Sequence, residues 1–393
     1  MDFRDTPEEA RFRLELREWI EANLPRGWRE RPPNPGRADN AVARAWSRKV
    51  YEAGYAGITW PPEYGGAGRP HTYQAIFIEE SARAEAPEHI GVIGLGMAGP
   101  TIIAHGTEQQ KNKHLKKILS AEEVWCQGFS EPESGSDLAS LKTRAERDGD
   151  HFVVNGQKVW SSFAEIADYC ILLTRTDPEA PKHRGITYML VDMRSPGIEV
   201  RPLKQITGEP EFNEIFFSNV RVPVSGVLGE VNEGWTAAMT TLMHERGTFG
   251  FSLTARLEVL VRKLMQLAQD SAPDGCRAAD DPLIADRIAQ LWIELQALRF
   301  TNYRSLTKLM ETGVPGPEGS IPKLHWSESN QRLTKLALEI LGAYNQLDGE
   351  GSFWNGFWQY QQLRSRGNTI EAGTSEVLRN IISERVLGLP RSR

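Results

Sequence analysis

Between about residues 124 and 228 the spacing of the apolar residues changes from a helical to a strand-like pattern, and this change limits the possible fold most strongly. The segment holds short β-favouring runs separated by turn residues. These runs are 169–173, 186–191, 198–200 and 214–217. Because the chain on either side has helical periodicity, the sequence predicts a middle β domain between two helical domains.

The two flanking segments carry helix start and stop signals. Thr6-Pro7-Glu8-Glu9 is a capping box with proline at the first helical position, and residues 41–53 predict a second helix. After Gly234, long helical patterns are interrupted at 270–282 and 313–321, which indicates a bundle. The predicted fold class is multidomain α and β. It comprises an N-terminal helical domain (1–122), a middle antiparallel β domain (123–231) and a C-terminal four-helix bundle (232–393).

Within the β domain, residues 125–162 are the candidate chemical segment. Asn155-Gly156 lies between two β-favouring runs and predicts a β-hairpin with a type I′ turn. Small hydroxyls and glycines stand beside a tryptophan, and such a surface can hold a flat heterocycle with polar edges against the indole. The plain structural alternative is a serine-rich turn beside a core tryptophan.

Composition excludes several classes of function. The net charge of −6 comes without a run of lysine or arginine, so nucleic acid is not an expected partner. Cys126, Cys170 and Cys276 lie far apart and outside any CxxC spacing, so neither a disulfide framework nor a metal site is predicted. No apolar run reaches bilayer length, and we expect a cytoplasmic protein that does not enter a membrane.

One glycine-rich stretch imitates a dinucleotide-binding motif. Residues 94–99 read Gly-Leu-Gly-Met-Ala-Gly and match GxGxxG. The Rossmann fingerprint also needs a second strand after the helix, and the chain continues instead into another amphipathic helix that opens at residues 106–111. The glycines therefore predict close helix packing rather than a nicotinamide site.

Three stretches of the middle segment resemble the flavin-binding signature of the acyl-CoA dehydrogenases. They are Phe129-Ser130-Glu131-Pro132, Gly135-Ser136-Asp137 and 155–160. The resemblance continues along the chain and implies FAD as cofactor, an acyl-CoA substrate and an electron-transfer flavoprotein as electron acceptor. Phe129 belongs to the implied cofactor-binding set.

The resemblance also implies roles for individual residues. Ser130 would hydrogen-bond the pyrimidine end of the flavin, and Ser162 would lie near its N5 or O4 atom. Trp160 would cover the ring face away from substrate, and Ser136 would lie near the thioester or phosphate end of the ligand. Near the C-terminus, Thr374 and Glu376 match further cofactor contacts of the family.

Oxidation of an acyl thioester needs a carboxylate that removes the α-proton. In the commonest pattern of the family this glutamate stands immediately before Gly-Thr, and here Ala372 holds that place, with Glu371 displaced by one residue. A shift by one residue in an extended loop turns a side chain to the opposite side. The other position used in the family is a Glu-Arg pair on the first bundle helix, which Glu245-Arg246 resembles. We expect Glu245 to be the base and keep Glu371 as the alternative.

Two elements that in this family contact the cofactor tail depart from the pattern. Residues 277–283 carry Asp280 where glycine is expected, and Glu339 and Ala343 stand in the stretch that would contact a neighbouring subunit's cofactor. Carboxylates repel a pyrophosphate, and a β-carbon blocks close backbone approach. These departures resemble heteromeric acyl-CoA dehydrogenases of bacterial steroid side-chain degradation. They imply a paralogous partner chain in an α2β2 heterotetramer and a bulky, steroid-like acyl group.

Two other functions remain open on the same fold. One is a flavin oxidase or monooxygenase, which would react quickly with oxygen once reduced. The other is a non-catalytic companion subunit that binds no flavin and only completes the site of its partner. The intact segment 125–162 favours the catalytic function over the companion.

Overall fold

The computed structural model describes residues 4–29, 39–270, 277–347, 349 and 351–391, without the side chains of 245–249. Two compact units are defined by internal contacts. The helical unit is formed by the described parts of 1–37, 70–87 and 246–393. The sheet unit is formed by the described parts of 38–69 and 88–245. The predicted domain boundaries at 122 and 231 stay a prediction.

The helical unit contains most of the helices. Their bounds are α1 Pro7–Asn23, α3 His71–Arg83, α7 Pro282–Thr312, α8 Ser320–Leu341, α9 Phe357–Ser365 and α10 Ser375–Ile381. Helix α6, Gly234–Gln269, has residues in both units. The Thr6 hydroxyl accepts from Glu9 N at 3.2 Å and the Glu9 carboxylate accepts from Thr6 N at 2.9 Å, so the predicted capping box is confirmed. No helix in the described ranges is both long and apolar enough to cross a membrane.

A buried ionic cluster joins α1 to α3 inside this unit. Arg13 donates to Glu79 at 2.9 Å and to Glu80 at 2.7 Å, and Arg17 donates to Glu80 at 2.5 Å. Arg83 contributes a further bond to Glu80 at 2.9 Å. Burial alone would raise the pKa of Glu80, but the surrounding arginines lower that pKa below its ordinary value. The cluster therefore keeps Glu80 ionised although the side chain is almost fully buried.

The long helices share one apolar core, as the predicted bundle requires. Residues of α6, α7 and α8 are buried against each other, and α9 completes the core with Phe357 and Trp358. The fourth helix is short, with 9 residues. The aromatic side chains of Phe357 and Trp358 are buried in this core.

The helices of the sheet unit are α2 Asn40–Glu52, α4 Gly99–His105 and α5 Glu108–Leu119, with a π-helical turn at Gly94–Ala98. A β-carbon at Gly99 would lie 2.1 Å from the Trp60 ring, and one at Gly94 would lie 3.0 Å from Ile118. A β-carbon at Gly96 would meet nothing within 4 Å. Close packing is thus confirmed for Gly94 and Gly99 but not for Gly96, and residues 88–122 contain no strand.

Seven strands form one sheet, and the predicted middle β domain is confirmed. The strands are β1 Trp125–Gly128, β2 Arg144–Asp148, β3 His151–Ser162, β4 Tyr169–Arg175, β5 Ile186–Asp192, β6 Ile198–Leu203 and β7 Phe212–Pro223. Their order is β1-β4-β2-β3-β7-β6, and β5 pairs with β4. The pairs are antiparallel except that β1 and the first residue of β2 pair with β4 in parallel.

The predicted hairpin at Asn155-Gly156 is wrong, because β3 continues through both residues. The two-residue turn lies earlier, at Gly149-Asp150, and joins β2 to β3. At Asn155 the partner strand β7 bulges instead, and Asn219 there has φ 52°. The Asn155 carboxamide oxygen accepts from Asn219 N at 2.8 Å, so cross-strand bonds overrule the local turn preference. Strand β2 was not predicted from the sequence, because most of its residues are charged.

Gly156 is required by close approach rather than by a turn. Its φ is 154°, and a β-carbon there would lie 2.5 Å from Thr143 Oγ1. We expect Gly156→Ala to lower the free energy of unfolding by more than about 1 kcal/mol, because backbone and side chain must both shift. Urea unfolding measures the loss. Gly135→Ala is the matched control, since a β-carbon at Gly135 meets nothing within 4 Å. Equal stabilities of the two variants would contradict this explanation.

Candidate active site

Trp160 is an exposed indole on a strained turn of strand β3. Lys158 pairs with Ile215 and Ser161 with Asn213, so two residues of β3 face one residue of β7. Trp160 has φ 61°, which is unusual for a large aromatic residue, and 60% of the residue is exposed. The bulge therefore turns the indole out of the core, and the alternative of a core tryptophan is excluded.

Backbone and side-chain bonds hold the neighbours of Trp160 in place. Val159 N donates to Ser130 O at 3.0 Å, and the Ser161 hydroxyl donates to Gln127 O at 2.8 Å. The unusual backbone at Trp160 is consequently fixed from both sides, by β1 and by the segment that follows it. Strain that the surroundings maintain in this way is typical of functional sites.

Two serines lie near this indole, one through a backbone bond and one in the chain. Ser130 is joined to Val159 by the bond above, and Ser162 follows Trp160 by two residues. Both serines are half-buried, and neither hydroxyl has a hydrogen-bond partner within the described part of the chain. We call Ser130, Trp160 and Ser162 the cradle. The cradle offers an aromatic face and two available polar groups.

An ion pair beneath the cradle ties three segments of the sheet unit together. Lys158 is fully buried, and its ammonium donates to Glu131 Oε1 at 2.8 Å and to Phe129 O at 3.0 Å. The Glu131 carboxylate also accepts from Lys142 N at 2.6 Å and from Thr143 N at 2.8 Å. Every charge in this pair is thus matched by hydrogen bonds.

The pair controls the ionisation of Glu131. Burial alone would raise the pKa of the Glu131 carboxyl, but the charge of Lys158 and the hydrogen bonds from Lys142 and Thr143 bring that pKa below its ordinary value. Burial lowers the pKa of the Lys158 ammonium, and Glu131 opposes this shift. Glu131 is therefore a structural anion rather than a candidate base.

No role was predicted for Lys158 from the sequence, although the sequence carries a signal for one. Side chains of a strand alternate between the faces of the sheet, and Phe152 and Val154 are buried. Counting in twos from these residues places Lys158 on the same inward face. A lysine at an inward position requires a buried acceptor, and Glu131 of the same resembling stretch supplies it.

The other predicted residues of this unit differ in exposure. The Phe129 side chain is buried and packs edge-on against Tyr188, with ring centroids 5.9 Å apart, so only the backbone of Phe129 is available to a ligand. Ser136 is exposed. Its neighbour Asp137 forms an ion pair with Lys182 at 2.5 Å. The implied role of Ser136, near the thioester or phosphate end of the ligand, therefore stays a prediction.

In the helical unit, a second buried lysine holds the loop that contains Ala372. Lys323 donates to Asn368 O and to Gly373 O, each at 2.8 Å, and Ser327 donates to Asn368 O at 2.8 Å. Ala372 and Gly373 both have positive φ, 51° and 96°. The loop is therefore a fixed, strained segment, supported by polar side chains of α8.

Thr374 and Glu376 lie at the start of α10. The Thr374 hydroxyl accepts from Val377 N at 3.2 Å and caps the helix. Glu376 is exposed, and a hydrogen bond from its own backbone N–H, followed by that from Thr374, lowers the pKa of its carboxyl. Both residues have local structural partners, and their predicted cofactor contacts stay predictions.

The two candidate bases differ in what the structure describes. Glu371 is held by Arg364 at 2.9 Å and by the Asn368 side chain at 2.7 Å, so its carboxylate already serves two structural donors. Glu245 lies on α6, and its side chain is outside the described residues. The choice of Glu245 thus rests on sequence, while Glu371 has an evident structural role.

The two departures from the expected cofactor-tail pattern carry local ion pairs. Arg277 pairs with Asp280 at 2.8 Å, and Asp281 caps α7 through Leu283 N at 2.8 Å. Glu339 pairs with Arg287 across to α7. The arginine at 277 is therefore neutralised within its own turn.

A flavin ring fits the cradle by its chemistry. The ring has a broad apolar face and a polar edge of carbonyls and nitrogens, and the cradle offers one exposed indole and two available hydroxyls. The strained φ of Trp160 keeps the indole out of the core without any ring present. Ser130, Trp160 and Ser162 are the residues of the sheet unit that would hold it.

Comparison with known proteins identifies the family. Three family descriptions match: acyl-CoA dehydrogenase N-terminal domain at 6–122, middle domain at 126–220 and C-terminal domain at 232–387. The chain belongs to the acyl-CoA dehydrogenase family. It is similar to the acyl-CoA dehydrogenase IpdE1 of Mycobacterium tuberculosis, with 41% identity over 387 residues and 97% of each chain covered.

Solved structures are similar over the whole chain. One is the Tcur3481-Tcur3483 steroid ACAD, with a TM-score of 0.88, 34% identity and full coverage of both chains. Another is the ChsE4-ChsE5 complex of Mycobacterium tuberculosis, with a TM-score of 0.85, 32% identity and full coverage of both chains. The predicted arrangement of helical, β and helical segments is that of these relatives.

The lowered pKa of Glu131 predicts a specific acid sensitivity. Because the folded pKa lies below the unfolded one, the unfolded state binds more protons, and this stabilisation is lost as the pH falls below about 5 and through the folded pKa. Glu131→Gln should cost about 3 kcal/mol at pH 7. The difference from the wild type should shrink on acidification. Urea unfolding at pH 7, 5.5 and 4.5 measures it, with exposed Glu122→Gln as control. A difference independent of pH would contradict the assignment.

Proposed function

We propose that the chain catalyses FAD-dependent α,β-dehydrogenation of an acyl-CoA thioester to the trans-2-enoyl-CoA. The observation that carries this proposal is the cradle, because it presents an indole and two available hydroxyls at the positions that the family signature assigns to the flavin. Membership of the acyl-CoA dehydrogenase family supports it independently.

The residues of the chain divide the work. Ser130 and Ser162 would orient the polar edge of the ring, and Trp160 would cover one face and exclude water from it. Glu245 would take the α-proton of the thioester. FAD held by these residues would supply the acceptor for the β-hydrogen, which leaves as hydride, and an electron-transfer flavoprotein would remove the electrons.

A cleft on the sheet unit, lined by four basic side chains, is the site that we propose for the polyanionic part of coenzyme A. The cleft is open, has a volume of about 440 Å³ and is lined in part by Lys142, Arg144, Arg175 and Lys182. Lys142 and Arg144 pair with the exposed carboxylates of Glu133 and Glu146, which the phosphates of the ligand would displace. Arg175 donates to Ala139 O at 2.6 Å, so its guanidinium is fixed in place. Lys182 also pairs with Asp137, the residue after Ser136, which supports a position of Ser136 near the phosphate end of the ligand.

Replacement of Glu245 tests the chemical step. Glu245→Gln keeps the size of the side chain but removes the base, so flavin reduction by acyl-CoA should slow by at least ~10³-fold while flavin and ligand still bind. Anaerobic stopped-flow absorbance measures the rate. Glu371→Gln is the matched comparison and should retain most of the rate. If Glu371→Gln alone abolishes reduction, the base is Glu371.

We further propose that the active form contains a paralogous partner chain, with a bulky, steroid-like acyl group as substrate. The ion pairs Arg277–Asp280 and Glu339–Arg287 support this, because they leave carboxylates and a neutralised arginine in the two stretches that by resemblance contact a neighbour's cofactor tail. The names of the similar proteins add support, since one is a complex of two named chains and another is described as a steroid ACAD.

Co-expression tests the partner. The chain expressed alone should retain little FAD, and co-expression with an adjacent paralogue should give an α2β2 complex with a flavin absorbance spectrum. Size-exclusion chromatography with absorbance at 280 and ~450 nm measures both. A stable homotetramer with stoichiometric FAD would overturn the heteromeric proposal. A complex whose FAD depends on the partner chain alone would favour the companion function.

A further inference from the structure

Lys158 lies below the cradle without access to solvent. Lys158 is 0% exposed. A β-carbon placed on Gly128 would lie 3.5 Å from the Lys158 side chain, so the aliphatic part of the lysine is packed on that side. A buried ammonium persists only when its hydrogen-bonding groups are satisfied. The acceptors are the carboxylate of Glu131 and the carbonyl of Phe129.

These two acceptors bracket one residue of the cradle. Phe129 and Glu131 are the neighbours of Ser130 in the chain, so a single ammonium group holds the backbone carbonyl before that serine and the side-chain carboxylate after it. The same segment is closed by two bonds between Glu131 and Ser134, each 3.0 Å long. Ser130 therefore has little freedom relative to Lys158.

The other side of the cradle is fixed to the same lysine through the strand. Trp160 follows Lys158 by two residues, and Val159 N bonds Ser130 O at 3.0 Å. The Glu131 carboxylate also receives the N–H groups of Lys142 and Thr143, which lead into β2. One buried pair thus sets the spacing between the Ser130 hydroxyl and the Trp160 indole.

We propose that Lys158, acting through Glu131 and the Phe129 carbonyl, is a positioning residue for the flavin ring. It touches neither ring nor substrate, and it fixes the segment of Ser130 relative to the strand that carries Trp160. This inference rests on the proposed FAD site. Loss of the lysine should therefore impair the ring's environment beyond any loss of fold stability.

Two variants separate positioning from stability. Lys158→Met leaves Glu131 buried without its cation and should be unstable. Lys158→Met/Glu131→Gln removes both charges and should recover much of that stability, yet it lacks the ammonium that holds the Phe129 carbonyl. Lys116→Met is the matched control, because Lys116 is an exposed lysine of the same unit.

The experiment uses the full chain co-expressed with its partner, with added FAD as the probe. Circular dichroism establishes folding, and flavin fluorescence measures both FAD affinity and the quenching of the bound ring. We expect the double variant to fold, to bind FAD at least tenfold more weakly and to quench its fluorescence less. Lys116→Met should match the wild type within twofold.

Failure of the positioning role and failure of the proposed function would give different results. A folded double variant with wild-type affinity and quenching would overturn the positioning role and leave the proposed function intact. A wild-type complex that binds no FAD would overturn the proposed function and the inference together. If Lys158→Met does not fold, the double variant decides.

Discussion

A buried ammonium group must find acceptors or lose its charge, and this requirement organises the candidate site. Lys158 meets it with Glu131 and the Phe129 carbonyl, and the polar loop after β1 is held against β3 as a result. Lys323 meets it with two backbone carbonyls, one of them Gly373, and fixes the loop before α10. Each of these two irregular loops contains predicted site residues, and each is held in place by hydrogen bonds from a buried lysine.

Backbone strain is present at both of these places. Trp160 has a positive φ inside a bulge of β3, and Ala372 has one in the loop that Lys323 holds. Neither residue gains local energy from such a conformation, so the cost is met by the surrounding hydrogen bonds. In the sheet unit the result is an indole that faces outward although tryptophan normally packs inside. A surface of this kind can bind a flat ligand.

Helix limits could be predicted from local chemistry, because the capping box at Thr6 and the left-handed Gly313 act within one turn of chain. The four β-favouring runs were equally plain. The Asn155-Gly156 hairpin failed because pairing with β7 outweighs a dipeptide preference, and that pairing joins residues more than fifty positions apart. The ion pair between Lys158 and Glu131 was not predicted, because its two residues also lie far apart in the sequence. Strand alternation alone already predicts that the Lys158 side chain faces the core. The choice of Glu245 over Glu371 as the base depended on family resemblance, because the spacing of apolar residues carries no information about a catalytic carboxylate.

The central claim is that the cradle of Ser130, Trp160 and Ser162 holds a flavin ring. An experimental structure of the FAD-loaded complex tests it most directly. The account predicts the ring in van der Waals contact with the Trp160 indole, with both serine hydroxyls within hydrogen-bond distance of its polar edge. A ring bound elsewhere in the complex, with the Trp160 indole covered by protein side chains, would contradict it.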